Sequence, residues 1–166
     1  MNSINIRQVE PADLDAACVV EAAAFPADEA AAPAKIKKRL ETYPDGFLVA
    51  EENKPEATIV GLVMCGATHQ PDLADEELKD MVGHDPDGEN FVVFSVAVLP
   101  RAQGQGLGGK LVGALVERAR VLGKRHVLLL CKENLIPFYQ RYGFADVGLS
   151  ASTHGGARWH EMRCDL

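Results

Sequence analysis

The chain has 166 residues, of which 47% are hydrophobic and 25% charged, with a formal net charge of −7. This length suits one domain, residues 1–166, with a sizeable core, and the composition is that of an ordinary soluble globular protein. The acidic surplus argues against a nucleic-acid partner, because phosphate binding needs clustered Lys and Arg, and it is mildly compatible with a cationic substrate.

The opening stretch, "MNSINIRQVE", lacks a basic region followed by an apolar one, so it is not read as a signal peptide. Its alternating Ile4, Ile6 and Val9 predict a first strand. "PADLDAACVVEAAAF" follows as a helix, with Pro11 suited to a first turn and Asp13 near the positive end of the dipole. Leu14, Ala17, Cys18 and Glu21 fall at helical spacing, which predicts Leu14 and Cys18 on the core face. After "FPADEAAAP", a second helix "AKIKKRLETY" stops at the turn Pro44-Asp45-Gly46. "FLVAEE" and "TIVGLVMCGAT" bracket "NKPEA" as a hairpin.

The acidic, Pro-containing segment "HQPDLADEELKDMVGHDPDGEN" reads as a lid-like surface excursion, with a short helix over "LADEELKDMV" and a turn at "HDPDG". Excursions of this length in compact domains are often binding elements. The strand "NFVVFSVAVL" is nearly all apolar, as expected when both faces are buried. A helix over about 107–122, the strand "HVLLLC", a short helix "NLIPFYQRYG", and the strands "FADVGLS" and "ARWHEMRCDL" complete the chain. No apolar run reaches the ~18 residues of a membrane span. Cys18, Cys65, Cys131 and Cys164 show no Cys-x-x-Cys spacing, which argues against a zinc site or redox pair and for a reduced, cytoplasmic protein.

"RAQGQGLGGK" joins the apolar strand to a helix whose Leu107, Leu111, Leu115 and Ala119 mark one buried face. Glycine loses roughly 0.5–1 kcal/mol against alanine in a helix, so Gly104, Gly106, Gly108 and Gly109 imply a backbone that a ligand approaches closely. N–H groups at a helix N-terminus make an anion site there; a tight connection is the alternative. The pattern is not a P-loop, which needs G-x-x-x-x-G-K-[ST]. It fits a dinucleotide loop poorly, since no ribose-binding acid follows at about 20 residues.

"SVAVLPRAQGQGLGGKLV" resembles the signature of the GNAT superfamily of acetyl-coenzyme A-dependent N-acetyltransferases, and "CKENLIPFYQRYGFADVG" resembles its second conserved segment. The resemblance implies an α/β (α+β) GNAT fold: one mixed central sheet of about seven strands, flanked by about four helices. It implies acetyl-CoA as cofactor, held by Gln103, Gly104, Gln105, Gly106, Leu107, Gly108, Gly109 and Lys110 at the pyrophosphate. The main chain of Val96, Ala97 and Val98 would take the pantetheine arm as an added strand, with Asn134, Phe138 and Tyr139 nearby. Asn134 would bond the pantetheine or cap the helix at Leu135.

"FPADE", "HDPDG", "CKENLIPFYQRYGF" and "EMRCDL" further resemble the arylalkylamine (serotonin-type) members. Vertebrate members carry two central-strand histidines where this chain has Val92 and Phe94, which places it nearer the non-vertebrate ones. Tyr139 matches the family's general acid, and a phenol of ordinary pKa about 10 keeps its proton at neutral pH. Glu29 matches the acidic position used as a base, with Asp28 and His84 as other acceptors. Phe25, Pro26, Phe47, Met64 and Trp159 are candidates for an aryl-binding wall, with core packing the alternative for each. Tyr142 reads as core or cofactor rim, Cys131 as a small buried hydrophobe, and His69, His126, His154 and His160 as structural or solvent-facing.

The expected activity is acetyl transfer to a small primary amine, an arylalkylamine first, by direct attack, in a monomer or homodimer with no metal. A polyamine or protein N-acetyltransferase and a non-catalytic acetyl-CoA-binding domain are the alternatives.

Overall fold

The computed structural model describes residues 3–53, 55–73, 76–152 and 156–166; His154 lies outside them. Seven strands form one sheet: β1 (Ile4–Gln8), β2 (Phe47–Glu52), β3 (Thr58–Thr68), β4 (Asn90–Val98), β5 (His126–Cys131), β6 (Ala145–Leu149) and β7 (His160–Asp165). Their order is β1-β2-β3-β4-β5-β7-β6, with β4 and β5 parallel and every other neighbour antiparallel. Four α-helices accompany them: α1 (Leu14–Ala24), α2 (Pro33–Thr42), α3 (Leu107–Val121) and α4 (Ile136–Gln140). This is the mixed sheet with about seven strands and four helices that the sequence implies.

The period of two along the central strands divides the core into two layers. Leu48, Ala50, Val60 and Val63 pack with Leu107, Leu111, Leu115 and Ala119 of α3. Val49, Leu62, Met64 and Ala97 point the other way, against Ala17 and Val20 of α1 and Ile36 and Leu40 of α2. At the start of α1, the Arg7 guanidinium forks onto Asp13 at 2.8 and 3.0 Å and reaches Glu51 at 2.8 Å. That bidentate geometry ties β1, the helix entrance and β2 together.

Three predicted placements shift. In α1 the fully buried residues are Ala17, Val20 and Glu21, while Leu14 and Cys18 are only half-buried. The excursion after β3 holds a single 3-10 turn, Leu78–Asp80, among its described residues, in place of the predicted helix. It stops at Met81, whose φ of 65° is left-handed and cannot continue a helix. Phe47 and Met64 are fully buried between the sheet and α1–α2, so core packing accounts for both and neither belongs to an aryl wall.

The feature that positions the site is the divergence of β4 from β5. They pair only from Asn90↔His126 to Val92↔Leu128 and then separate. A bulge at Phe94 bends β4 there, because Cys65 pairs with Val93 and Met64 with Ser95. Beyond the bulge, the Leu99 N–H donates to Val60 C=O at 2.8 Å. Alternation then turns the peptide groups of Val96 and Val98 away from β3, into the gap that β5 has left.

Candidate active site

A cavity of about 550 Å³ lies along this gap, between α1–α2 on one side and β5, Leu135, Tyr139 and Trp159 on the other. Asp72, Leu73, Leu78 and Lys79 of the excursion close it, so the segment read as a lid supplies a wall. The excursion is anchored at its far end, where Lys124 Nζ donates to Pro86 and Gly88 carbonyls at 2.6 Å each.

At the open end of β4, the loop after the strand rises into α3 through Gly104 (φ 81°) and Gly106 (φ 76°), left-handed positions that favour glycine. Gln103 through Gly106 are exposed, as is Lys110. None of the backbone N–H groups from Gly104 to Gly109 bonds to an acceptor among the described residues; the first such bond is Lys110 N–H to Gly106 C=O. Gln103 Nε2 donates to the Val98 carbonyl at 3.0 Å and pins the loop to β4. A run of unbonded N–H groups at the start of a fifteen-residue helix fits an anion such as a pyrophosphate. The free peptide groups of Val96 and the free Val98 N–H fit an extended arm. Gly109 serves a different end: the space its Cβ would fill is taken by the Tyr142 ring, so this glycine accommodates the protein's own side chain. Gly108 faces Phe138, which stands edge-on to Tyr139 and Tyr142.

Tyr139 lies on α4, 7% exposed, and lines the cavity. Its hydroxyl makes no hydrogen bond among the described residues, and burial pushes its pKa above the usual phenol range. The phenol therefore stays protonated across the neutral range, the state a proton donor needs. Glu29 lines the same cavity with its carboxylate largely shielded, and Lys132 Nζ sits 2.6 Å from Oε1. Lys132 in turn lies 5.8 Å from the Trp159 ring centroid. Asp28 is exposed at the rim, and Phe25 and Pro26 border the cavity beside it. Cys131 lines the cavity too, but burial pushes its thiol up to about 11, which leaves little thiolate at neutral pH. Val92 and Phe94 line it as an apolar stretch of β4.

Two sequence-predicted residues stand elsewhere. His84 is not a cavity residue: its Nδ1 accepts the Ala67 N–H at 3.0 Å and its ring lies 4.5 Å from that of Tyr43. Burial holds its pKa below the usual imidazole value. Asn134 is exposed within the 3-10 turn Glu133–Leu135 and caps neither that turn nor α4.

Conversely, three cavity residues carry no functional mark in the sequence. Glu21, 2% exposed, accepts from Ser95 Oγ at 2.6 Å and from the Ala31 N–H at 2.9 Å. Arg39, 3% exposed, lies over the Phe94 ring at 4.7 Å. Glu21, Ser95 and Arg39 all line the cavity. Glu21 sits in an alanine-rich helix and Arg39 in a lysine-rich one, so neither bears a local mark of burial; a charged residue at a core-facing helical position was the available signal. Among the described residues no group of His, Cys, Asp and Glu converges as a metal site.

The sequence model of the acetyltransferase (GNAT) family matches residues 14–144, most of the chain and every cavity-lining residue except Ser152 and Trp159. The chain belongs to the GNAT acetyltransferase family. Serotonin N-acetyltransferase of Mesocricetus auratus is 32% identical over 87 residues, which cover 50% of this chain and 41% of that protein. The match thus spans less than half of the curated relative. The GNATL loading domain of CurA from Lyngbya majuscula shares the fold with a TM-score of 0.86 at 19% identity, over 99% of this chain and 98% of that one. GphF, a GNAT-like decarboxylase solved with isobutyryl-CoA, superposes with a TM-score of 0.82 at 20% identity, over 97% and 98%. At these identities the two structures speak for the GNAT fold alone.

Proposed function

We propose that this GNAT protein is an N-acetyltransferase that moves the acetyl group of acetyl-CoA to a small primary amine held in the β4–β5 cavity. The observation that carries the reading is the junction of two features along one strand. The unbonded N–H run of 104–109, the free peptide groups of Val96 and the free Val98 N–H lead into a cavity lined by Tyr139 and Glu29. Acetyl-CoA, when bound, would supply a thioester-activated acetyl group with coenzyme A thiolate as the leaving group.

The chain's own residues then have four tasks. The loop amides from Gly104 to Gly108 hold the diphosphate, with the α3 dipole behind them. The Val96 peptide groups and the Val98 N–H fix the extended arm by strand-type hydrogen bonds. Glu29 draws in the cationic amine and takes up its proton, once Lys132 yields its place at Oε1. Tyr139, with no competing acceptor, gives its proton to the leaving sulfur. Juxtaposing two reactants in one site contributes up to ~7–11 kcal/mol in ideal cases. Cys131, kept as a thiol by burial, leaves direct transfer as the route.

Within small amines, an arylalkylamine is the favoured acceptor. Phe25, Phe94 and Trp159, with Leu73 and Leu78, give the cavity apolar and aromatic walls, and the partial match to a serotonin N-acetyltransferase points the same way. The reading is tested by incubating the protein with acetyl-CoA and a panel of primary amines and following free thiol. Thiol release that depends on the amine, and that added coenzyme A inhibits, is the expected result. Tight acetyl-CoA binding without release across the panel would instead indicate a non-catalytic domain.

A further inference from the structure

The acetyl-transfer reading leaves the buried cation of the cavity without a task. Arg39 projects from α2 into the cavity wall, where its Nε donates to the Lys79 carbonyl at 3.2 Å and its Nη1 points to Met64 Sδ at 3.7 Å. Its guanidinium stacks on Phe94. Among the described residues no carboxylate forms an ion pair with it. The other cations of the cavity each have one: Lys35 with Asp80 at 3.6 Å, Lys79 with Glu76 at 3.1 Å, and Lys132 with Glu29 at 2.6 Å.

A guanidinium this far from solvent is ordinarily paired with a carboxylate, because desolvating a charge is costly. Burial lowers the Arg39 pKa to about 10, with Glu21 and Asp80 opposing that shift, so the group is still cationic at neutral pH. Glu21, the buried carboxylate of the same cavity, is engaged by Ser95 and the Ala31 N–H instead. Two opposite charges therefore border one cavity without touching each other. An arginine offers five donors in a rigid fork, and the protein uses only two of them here. The Phe94 stack and the Lys79 carbonyl fix the orientation of that fork, which lowers the cost of binding a planar anion.

We propose that Arg39 receives a carboxylate of the acceptor, so that the amine acetylated by this protein is an amino acid. The proposal rests on the acetyl-transfer reading and narrows its small primary amine to an amino acid, in place of the plain arylalkylamine favoured above. A carboxylate on the fork supplies the missing partner of the buried cation. The Phe94, Leu73 and Leu78 surfaces beside it take an apolar side chain, and the amine of the same molecule faces Glu29 and Tyr139. Arg39 is then a binding residue for the acceptor and takes no part in proton transfer.

The test compares acceptors that differ only in the carboxylate: phenylalanine with phenethylamine, leucine with isopentylamine, β-alanine with ethylamine, and 4-aminobutyrate with propylamine. For at least one pair, kcat/KM of the wild-type protein is expected to favour the acid by roughly 10- to 100-fold, the worth of a charge-assisted hydrogen-bonded pair. In Arg39→Gln that ratio falls towards one, chiefly through KM, and Arg39→Lys restores part of it because the charge returns without the fork. The ratio does not depend on the fraction of protein folded, so a loss of stability in the variants leaves it readable. Wild-type ratios at or below one in every pair would overturn the proposal, as would a ratio unchanged in Arg39→Gln; transfer to the plain amines in either case leaves the acetyl-transfer reading standing. Silence with both classes of acceptor would overturn the acetyl-transfer reading and this one with it.

Discussion

Tyr139→Phe separates catalysis from stability more cleanly than any other change at this site. The substitution removes one hydroxyl and keeps the ring that packs edge-on against Phe138 and Phe144, at centroid distances of 4.9 and 5.8 Å. The hydroxyl has no hydrogen-bond partner among the described residues, so no buried donor or acceptor is orphaned. Surface-like losses of about 0.5 kcal/mol or less are expected, which in a chain of this size moves Tm by roughly 1–2 °C. Loss of a positioned general acid removes about 10²- to 10⁴-fold of rate, or about 2.7–5.5 kcal/mol of barrier. Single-turnover thiol release gives the rate, a thermal melt gives the stability, and titration calorimetry gives the acetyl-CoA affinity, which stays near wild type. The pH profile adds a sign. Because burial raises the phenol's pKa, the protonated form persists past pH 10, and Tyr139 imposes no fall in rate between pH 8 and 10. An unchanged single-turnover rate in Tyr139→Phe would refute its role as the acid, and a large drop in Tm would show that the hydroxyl is structural.

Two further predictions concern backbone and burial. Gly106→Ala places a side chain at φ 76°, and at about 1–2 kcal/mol for an L-residue there it lowers Tm and weakens acetyl-CoA binding. Gly113→Ala, in the same helix with open space around its Cβ position, raises stability by roughly 0.5–1 kcal/mol and leaves binding alone; equal effects from the two would remove the distinction between loop and helix glycines. Alkaline stability follows from the Cys65 and Cys131 thiols, whose pKa values lie above the ordinary 9.0 because of desolvation, and from Tyr43 and Tyr139, raised by the same cause. Groups with a raised folded pKa stabilise fully below their unfolded value and lose that contribution as pH rises through the folded one. Urea unfolding should therefore show stability falling above about pH 9, by about 1.4 kcal/mol per pH unit for each such group, and more steeply above about pH 10. Cys65→Ala should make the first part of that fall shallower, leaving the share of Cys131, and stability constant to pH 10 in the wild-type protein would contradict the burial argument.

What the sequence disclosed and what it concealed divide along the range of the interactions. The loop and α3 are legible because both signals are local: glycines at the turn and a four-residue apolar spacing after it. The gap between β4 and β5 is not legible, since it arises from a bulge at Phe94 and from β5 pairing onward with β7. Helix α1 misleads because "LDAACVVEAAA" is apolar on nearly every side, so periodicity cannot choose between Cys18 and Glu21 for burial. Glu21 is buried by Ser95, 74 residues away, and Arg39 by the Lys79 carbonyl, 40 residues away. His84 follows the same logic in reverse: its turn is visible in "HDPDG", but its bond to the Ala67 N–H commits it to the end of β3. Glu29 and Tyr139, expected from family resemblance, do reach one cavity, as do Phe25, Pro26 and Asp28.

The central claim is direct transfer of an acetyl group to an amine nitrogen in the β4–β5 cavity. Following isotope-labelled acetyl from acetyl-CoA by mass spectrometry, with an amine acceptor present, tests it most directly. The label is expected on the amine nitrogen in step with free thiol, with none on the protein. Label on Cys131, or released only as acetate, would contradict it.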